Sequence, residues 1–383
     1  MSCEERRRCP SGKDRISLLP DELLHDILVR LRCTSAAART SVLSRRWRHV
    51  WAHLPELVLL GGGPHATSFL DTVDGALAGY SAPTLDRLTI SLYFSLTARH
   101  GIRVPAGRVQ PWLRFASERV VGALHLVSAI MLPPPGGRPY VYVGVNKEAL
   151  HLPASKGVAS ILLRLHGAWR LRPPSAGVFA ALTSLTIKGG CMAGSDLTDL
   201  VCTQCLRLRD LNLSMALVAA SDVSLRSGSL RSLGLDITDA LRLEVVAPRL
   251  EEPTVDDDAA GAVQISAPNL AKQAWRARRY YPRRYQLADV SRRLRRLEIS
   301  MCSLMASLIQ HFDEVGELQL QIHVPQYERF LKETDKLPQC NTLTMILRWD
   351  YHDLVSFMLH LLRSCNSTRK ISVLFADSWN RPS

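Results

Sequence analysis

Cys202 and Cys205 stand three apart, a spacing at which two thiolates can share a metal ion. A zinc site needs four such ligands, and no second CxxC and no HxxxH lies at a matching distance. Cys205 directly precedes the apolar run LRLRDL, so core packing is the expected role. The triplet Asp256–Asp258 could attract a cation but reads as a charged surface loop. GGGPH (61–65) lacks the Lys-Ser/Thr pair that a phosphate loop needs, and no strand pattern precedes it. GxSxG, HExxH and the dinucleotide fingerprint are missing, and the twelve histidines are scattered without a paired acid or nucleophile. The pattern predicts no active site, no metal and no cofactor.

Two basic segments carry the other candidate chemistry. WRARRYYPRRYQLADVSRRLRR (275–296) holds nine arginines and three tyrosines around one aspartate. Arginine with aromatic rings suits phosphates and stacked bases, or an acidic peptide through bidentate pairing. Arg276, Arg278, Arg279, Arg283 and Arg284 are the candidates for substrate or anion contact. The competing reading is a solvated loop between repeats plus the outer face of a repeat element. SVLSRRWRHVW (41–51) sets Trp47 and Trp51 four apart among basic residues. Trp47, Val50, Trp51 and Leu54 form one helical stripe, with the arginines facing away. A nucleic-acid recognition helix would need a helix-turn-helix scaffold that the preceding residues do not supply.

The elements that position these residues follow from the wider pattern. The chain has 383 residues, 46% of them apolar, enough for two or three domains or one long repeat array. Its net charge of +13 favours acidic partners at long range. Nine cysteines, an odd number, and a charged start without an apolar run predict reduced thiols in cytoplasm or nucleus, and no secretory signal. VVGALHLVSAIML (120–132) is too short and too polar for a membrane span.

SLLPDELLHDILVRL (17–31) predicts a helix. Pro20 suits its first position, Asp21 and Glu22 favour the positive end of its dipole, and Leu23, Leu24, Ile27, Leu28 and Leu31 make an apolar face. AAARTSVL and RRWRHVWAHL predict two further short helices, the last stopped by Pro55. Three such helices carry more apolar surface than they can hide, which points to docking on the rest of the chain or on a partner.

The run DRISLLPDELLHDILVRL…AAARTSVLSRRWRHVWAHLPEL, over residues 14–57, resembles the F-box of plant F-box/leucine-rich-repeat proteins. The resemblance rests on Leu19–Pro20, Ile27–Leu28, the ARTSVLSRRW block (38–47) and Trp51. It implies that Leu19, Pro20, Ile27, Leu28, Leu31, Val42, Leu43 and Trp47 supply positions that face or support a Skp-type adaptor of a cullin–RING ubiquitin ligase.

Beyond it, the template apolar-x-x-apolar-x-apolar recurs at Leu85, Leu182, Leu208, Leu230 and Leu294, with weaker copies at Val121, Val158 and Val315. From Leu182 the starts fall at 182, 208, 230, 250, 270, 294 and 315, a leucine-rich-repeat period. Each copy predicts one short strand, leucines inward, in a parallel sheet that stacking must complete. Pro253 and Gln273 break the template and predict irregular strands without a break in the solenoid. The early repeats are widely spaced, with an insertion at 132–144. Residues 330–375 resemble the FBD-type end of the same proteins, read as TLTMIL strand, a helix with Leu354, Phe357, Met358 and Leu361 on one face, and KISVLF strand.

The expected architecture is α/β: a flexible N-terminus (1–13), a three-helix F-box (14–57), a leucine-rich-repeat solenoid (58–329) and an FBD-like C-terminal cap (330–383). The resemblance implies a non-catalytic substrate-recognition subunit of an SCF-type ligase, binding the adaptor, through it a cullin, and an unknown target protein through outward repeat positions. The competing reading is a non-ligase repeat scaffold or a basic nucleic-acid-associated protein; no membrane partner is expected.

Overall fold

The computed structural model describes residues 19–30, 50–62, 66–94, 104–130, 148–165, 169–255, 261–275, 284–300, 308–322, 337–348, 363 and 368–376. Helix α1 spans Asp21–Arg30 and is followed by a 3-10 turn, Trp51–His53. Among the described residues, seventeen strands join in one sheet system. They are β1 (Glu56–Gly62), β2 (Leu85–Phe94), β3 (Val120–Ile130), β4 (Ala149–His151), β5 (Ser160–Arg164), β6 (Arg170–Arg172), β7 (Ser184–Met192), β8 (Asp210–Arg226) and β9 (Ser232–Val246). The rest are β10 (Glu252–Val255), β11 (Ala262–Ser266), β12 (Lys272–Trp275), β13 (Tyr285–Ala288), β14 (Arg293–Ser300), β15 (Glu314–Ile322), β16 (Gln339–Arg348) and β17 (Lys370–Ala376). Helices α2 (Ala66–Gly79), α3 (Ala106–Arg119) and α4 (Gly194–Asp199) lie between early strands.

The template residues set the register. Every strand pair in the front face is parallel, and the central apolar position of each copy lies beside its counterpart. The column runs through Leu57, Leu88, Leu124, Ile161, Leu185, Leu211, Leu233 and Pro253. It resumes through Gln273, Leu297, Leu318, Leu343 and Ile371. The two stretches meet where Thr254 faces Ala274. The ladder also continues one residue before the strands, as Arg209 N–H donates to Thr183, Arg231 to Arg209, Glu251 to Arg231 and Ala271 to Glu251. The leucines of the column and its neighbours are buried against each other in one continuous core.

Two features go beyond the sequence reading. The wide early spacing is taken up by the 14-residue helices α2 and α3. Trp112 Nε1 donates to Asp74 across the two at 2.6 Å, and Glu148 Oε2 accepts the Ala106 N–H at the start of α3. The middle repeats instead return as strands. A second parallel ladder runs β4, β6, β7, β8, β9, β11 and β13, with β7, β8 and β9 long enough to serve both faces. One short strand per repeat is therefore an underestimate. Val223 and Leu225, Leu243 and Val245, and Val263 and Ile265 alternate inward, a period of two that favours strand over helix.

Pro253 and Gln273 sit in regular four-residue strands, β10 and β12, rather than irregular ones. Gln273 is 1% exposed, and both its amide atoms lack a hydrogen-bond partner. TLTMIL and KISVLF form β16 and β17, the last rungs described. The helix face expected at Leu354, Phe357, Met358 and Leu361 lies outside the described residues, as do the insertion at 132–144 and Asp256–Asp258. Among the described residues no helix is long and apolar enough to cross a membrane.

A buried amide without partners costs about 1–3 kcal/mol. Gln273→Leu should therefore raise the urea midpoint for unfolding of the repeats. An unchanged or lower midpoint would show that the amide is satisfied in solution.

Candidate functional site

Helix α1 opens at Pro20, whose carbonyl accepts the Leu24 N–H at 3.1 Å, so the proline stands where its missing N–H costs nothing. Asp21 and Glu22 occupy the first turn and Arg30 the last, matching the dipole. The five-residue apolar face expected from the sequence is divided in two. Leu24 and Leu28 are buried against Val50 and Leu54, with Leu19 and Trp51 packed on the rim. Leu23 and Ile27, one position earlier in each turn, are 47% and 40% exposed. His25 Nε2 lies 3.2 Å from the Val50 carbonyl and ties the helix to the segment it packs on.

Of the positions expected to face or to support the adaptor, Leu28 has the burial of a supporting one. Leu28 is 2% exposed and supports the unit from within, so it offers no surface. Leu19 is half-buried, while Pro20 and Ile27 are exposed. Leu23 was not among the predicted contacts. The signal for it was present: a stripe five residues wide is broader than one packing partner covers. Leu31, Val42, Leu43 and Trp47 lie outside the described residues.

The C-terminal end of this unit is fastened to the first repeat. Leu54 turns extended at ψ 138 before Pro55, as the proline ring requires of its predecessor. The Ala52 carbonyl accepts from Ser81 N–H at 2.9 Å, and the Pro55 carbonyl from Asp86 and Arg87 N–H. The Tyr80 hydroxyl lies between the carbonyls of Leu54 (2.9 Å) and Thr84 (2.8 Å). Trp51 covers Gly79 so closely that a Cβ there would stand 3.1 Å from its ring. The α1 surface therefore holds a fixed orientation to the sheet.

The other candidates resolve into structure. Cys205 is fully buried, and desolvation pushes its thiol up to about 12, the opposite of a metal-binding thiolate. Cys202 Sγ donates to the Ser224 carbonyl at 3.6 Å and accepts from Arg226 N–H at 3.2 Å. Among the described residues no three His, Cys, Asp or Glu side chains cluster as a metal site. Within the basic segment, the Arg284 carbonyl accepts the Val263 N–H and continues the second ladder. Trp275 and Tyr285 pack edge to face at 4.6 Å on either side of 276–283. Arg276, Arg278, Arg279 and Arg283 lie outside the described residues. Arg292, Arg293 and Arg296 pair across rungs with Asp313, Glu314 and Glu317. That half of the segment is therefore a cross-linked repeat surface.

Residues 16–59 match the F-box domain. This makes the α1 unit an F-box domain, and a solenoid of repeats follows it, an arrangement like that of F-box proteins with leucine-rich repeats. The likeness is to plant proteins. An F-box protein of Arabidopsis thaliana is 34% identical over 113 residues, 30% of this chain and 33% of that one. The F-box/LRR-repeat protein 25 of the same plant is 39% identical over 91 residues, 23% of this chain and 33% of the relative. An Arabidopsis F-box/FBD/LRR-repeat protein is 36% identical over 121 residues, 31% of this chain and 25% of the relative. The matched stretches thus span about a third or less of these relatives.

Burial, with Asp86 adding to it and Arg119 opposing, pushes the Tyr80 phenol from 10.0 up to about 12. The folded protein keeps a proton that the unfolded chain releases, so stability is lost as pH rises from about 10 to about 12. Tyr80→Phe should remove that loss and cost about 1–3 kcal/mol at neutral pH. Denaturant midpoints of both proteins between pH 7 and 11 measure it; parallel curves would contradict the assignment.

Proposed function

We propose that the chain is the substrate-recognition subunit of an SCF-type cullin–RING ubiquitin ligase. The carrying observation is the exposed Leu23–Ile27 stripe on an F-box helix whose adjacent stripe, Leu24 and Leu28, is sealed. Leu19, Pro20, Leu23 and Ile27 dock a Skp-type adaptor, and Leu28 holds the helix in place from within. Leu31, Val42, Leu43 and Trp47 complete or support that surface. Through the adaptor the chain reaches a cullin, and its repeat face holds a target protein. The chain makes and breaks no bond itself and acts in cytoplasm or nucleus. It works by raising the effective concentration of a target lysine near a charged conjugating enzyme. The rigid junction at Leu54, Pro55 and Tyr80 supports this reading, because a floating F-box would dissipate the positional gain.

Burying the exposed half of Leu23 and Ile27 contributes about 1 kcal/mol each, a term nearly independent of salt. The adaptor should therefore co-purify at high salt with the wild-type chain and be lost with Leu23→Asp/Ile27→Asp, whose thermal midpoint should stay unchanged. Leu24→Ala should instead lower stability by about 2–5 kcal/mol. Normal adaptor binding by the double aspartate variant would refute the assigned surface. Binding that collapses with salt would favour a charge-driven partner instead.

A further inference from the structure

Polar side chains of the middle repeats bond across rungs on both faces; on the front, Ser214 donates to Asp236 at 2.6 Å, the next outward pair beyond Asn212 and Gly234. On the second ladder, neighbours bond to each other. Ser224 donates to Glu244 at 3.1 Å, Arg242 to Gln264 at 3.2 Å and Ser266 to Asp289 at 3.1 Å. Farther along the front ladder the same holds, with Lys272 on Glu252 and Arg296 on Gln319. On the front of β7 to β10, Thr186, Asp210, Asn212, Ser232 and Thr254 line a depression of about 250 Å³ around Gly234. None of these side chains bonds to another described residue.

Gly234 has no positive φ, so its backbone does not require glycine. A glycine inside a strand weakens it and marks a place of close approach. A Cβ there would stand 2.9 Å from the Asn212 amide nitrogen, so the missing side chain is what leaves the floor open. The floor carries one charged group, the exposed Asp210 carboxylate, amid hydroxyls and a carboxamide. Arg209, Arg231 and Lys188 stand nearby but do not line it. An acceptor-rich floor with one carboxylate and no cation is complementary to a guanidinium or ammonium group.

We propose that this depression, between β7 and β10, is where a target protein docks, seating an arginine or lysine side chain of an extended segment on Asp210. The four strands span roughly 14 Å, room for that side chain and its neighbours. The inference rests on the substrate-recognition reading and specifies its target-binding face.

The probe is a random dodecapeptide library displayed on phage, panned on the full chain and on Asp210→Asn and Gly234→Val. Because the chain is net positive at +13, it repels cationic peptides in general, so their capture reports a local site. The expected result is enrichment of peptides with a basic residue at one position, their binding weakened at least tenfold by either variant. Enrichment of acidic peptides, no enrichment, or capture unaffected by both variants would overturn the proposal. The adaptor co-purifies with all three proteins if the ligase reading is right. Peptide failure with the adaptor retained therefore sinks this site alone, and loss of the adaptor from the wild type sinks the ligase reading.

Discussion

The parallel register of the inward apolar column is the constraint on which the rest depends. No repeat can cover its own leucines, so Leu185 is dry only because Ile161 and Leu211 flank it in register. Slipping one strand by a residue would turn its leucines to water and its polar residues into the core. The period of the template removes that freedom. With the register set, every outward residue acquires a defined place in a row, and the protein presents a surface of fixed pattern.

The same constraint gives the F-box its place. The column begins at Leu57, only two residues past Pro55, so the helical unit cannot drift far from the first rung. Tyr80, Ala52 and Pro55 then fix its angle through buried and half-buried hydrogen bonds. One apolar stripe of α1 closes the F-box interior and the other remains outside. A single short helix thereby packs into the fold along one stripe and leaves Leu23 and Ile27 exposed along the next.

Much of this was legible in the residues. Spacing alone gave the repeat, its strands and its inward positions, and Pro20 and Pro55 marked the helix ends. The second ladder was not legible, because LRLEVV and VQISAP lie outside the apolar-x-x-apolar-x-apolar template, and their alternation gains meaning only when matched with the neighbouring rung. The division of α1 was hidden for a related reason. Leu23 and Leu24 are identical residues, and only the position of Val50 and Leu54 decides which is inside. The depression at Gly234 carried a faint signal, a glycine between Leu233 and Leu235 where the neighbouring copies hold Thr186, Asn212 and Thr254. The core packing expected of Cys205 was legible from the apolar run it precedes, and its burial opposes the thiolate that a metal would need.

The most direct test is hydrogen exchange of the full chain with and without a Skp-type adaptor. The account predicts that added protection is concentrated in α1 and in residues 50–55, with the front ladder from β7 to β10 unchanged and free for a target. Protection centred on the repeats, or none in α1, would contradict it.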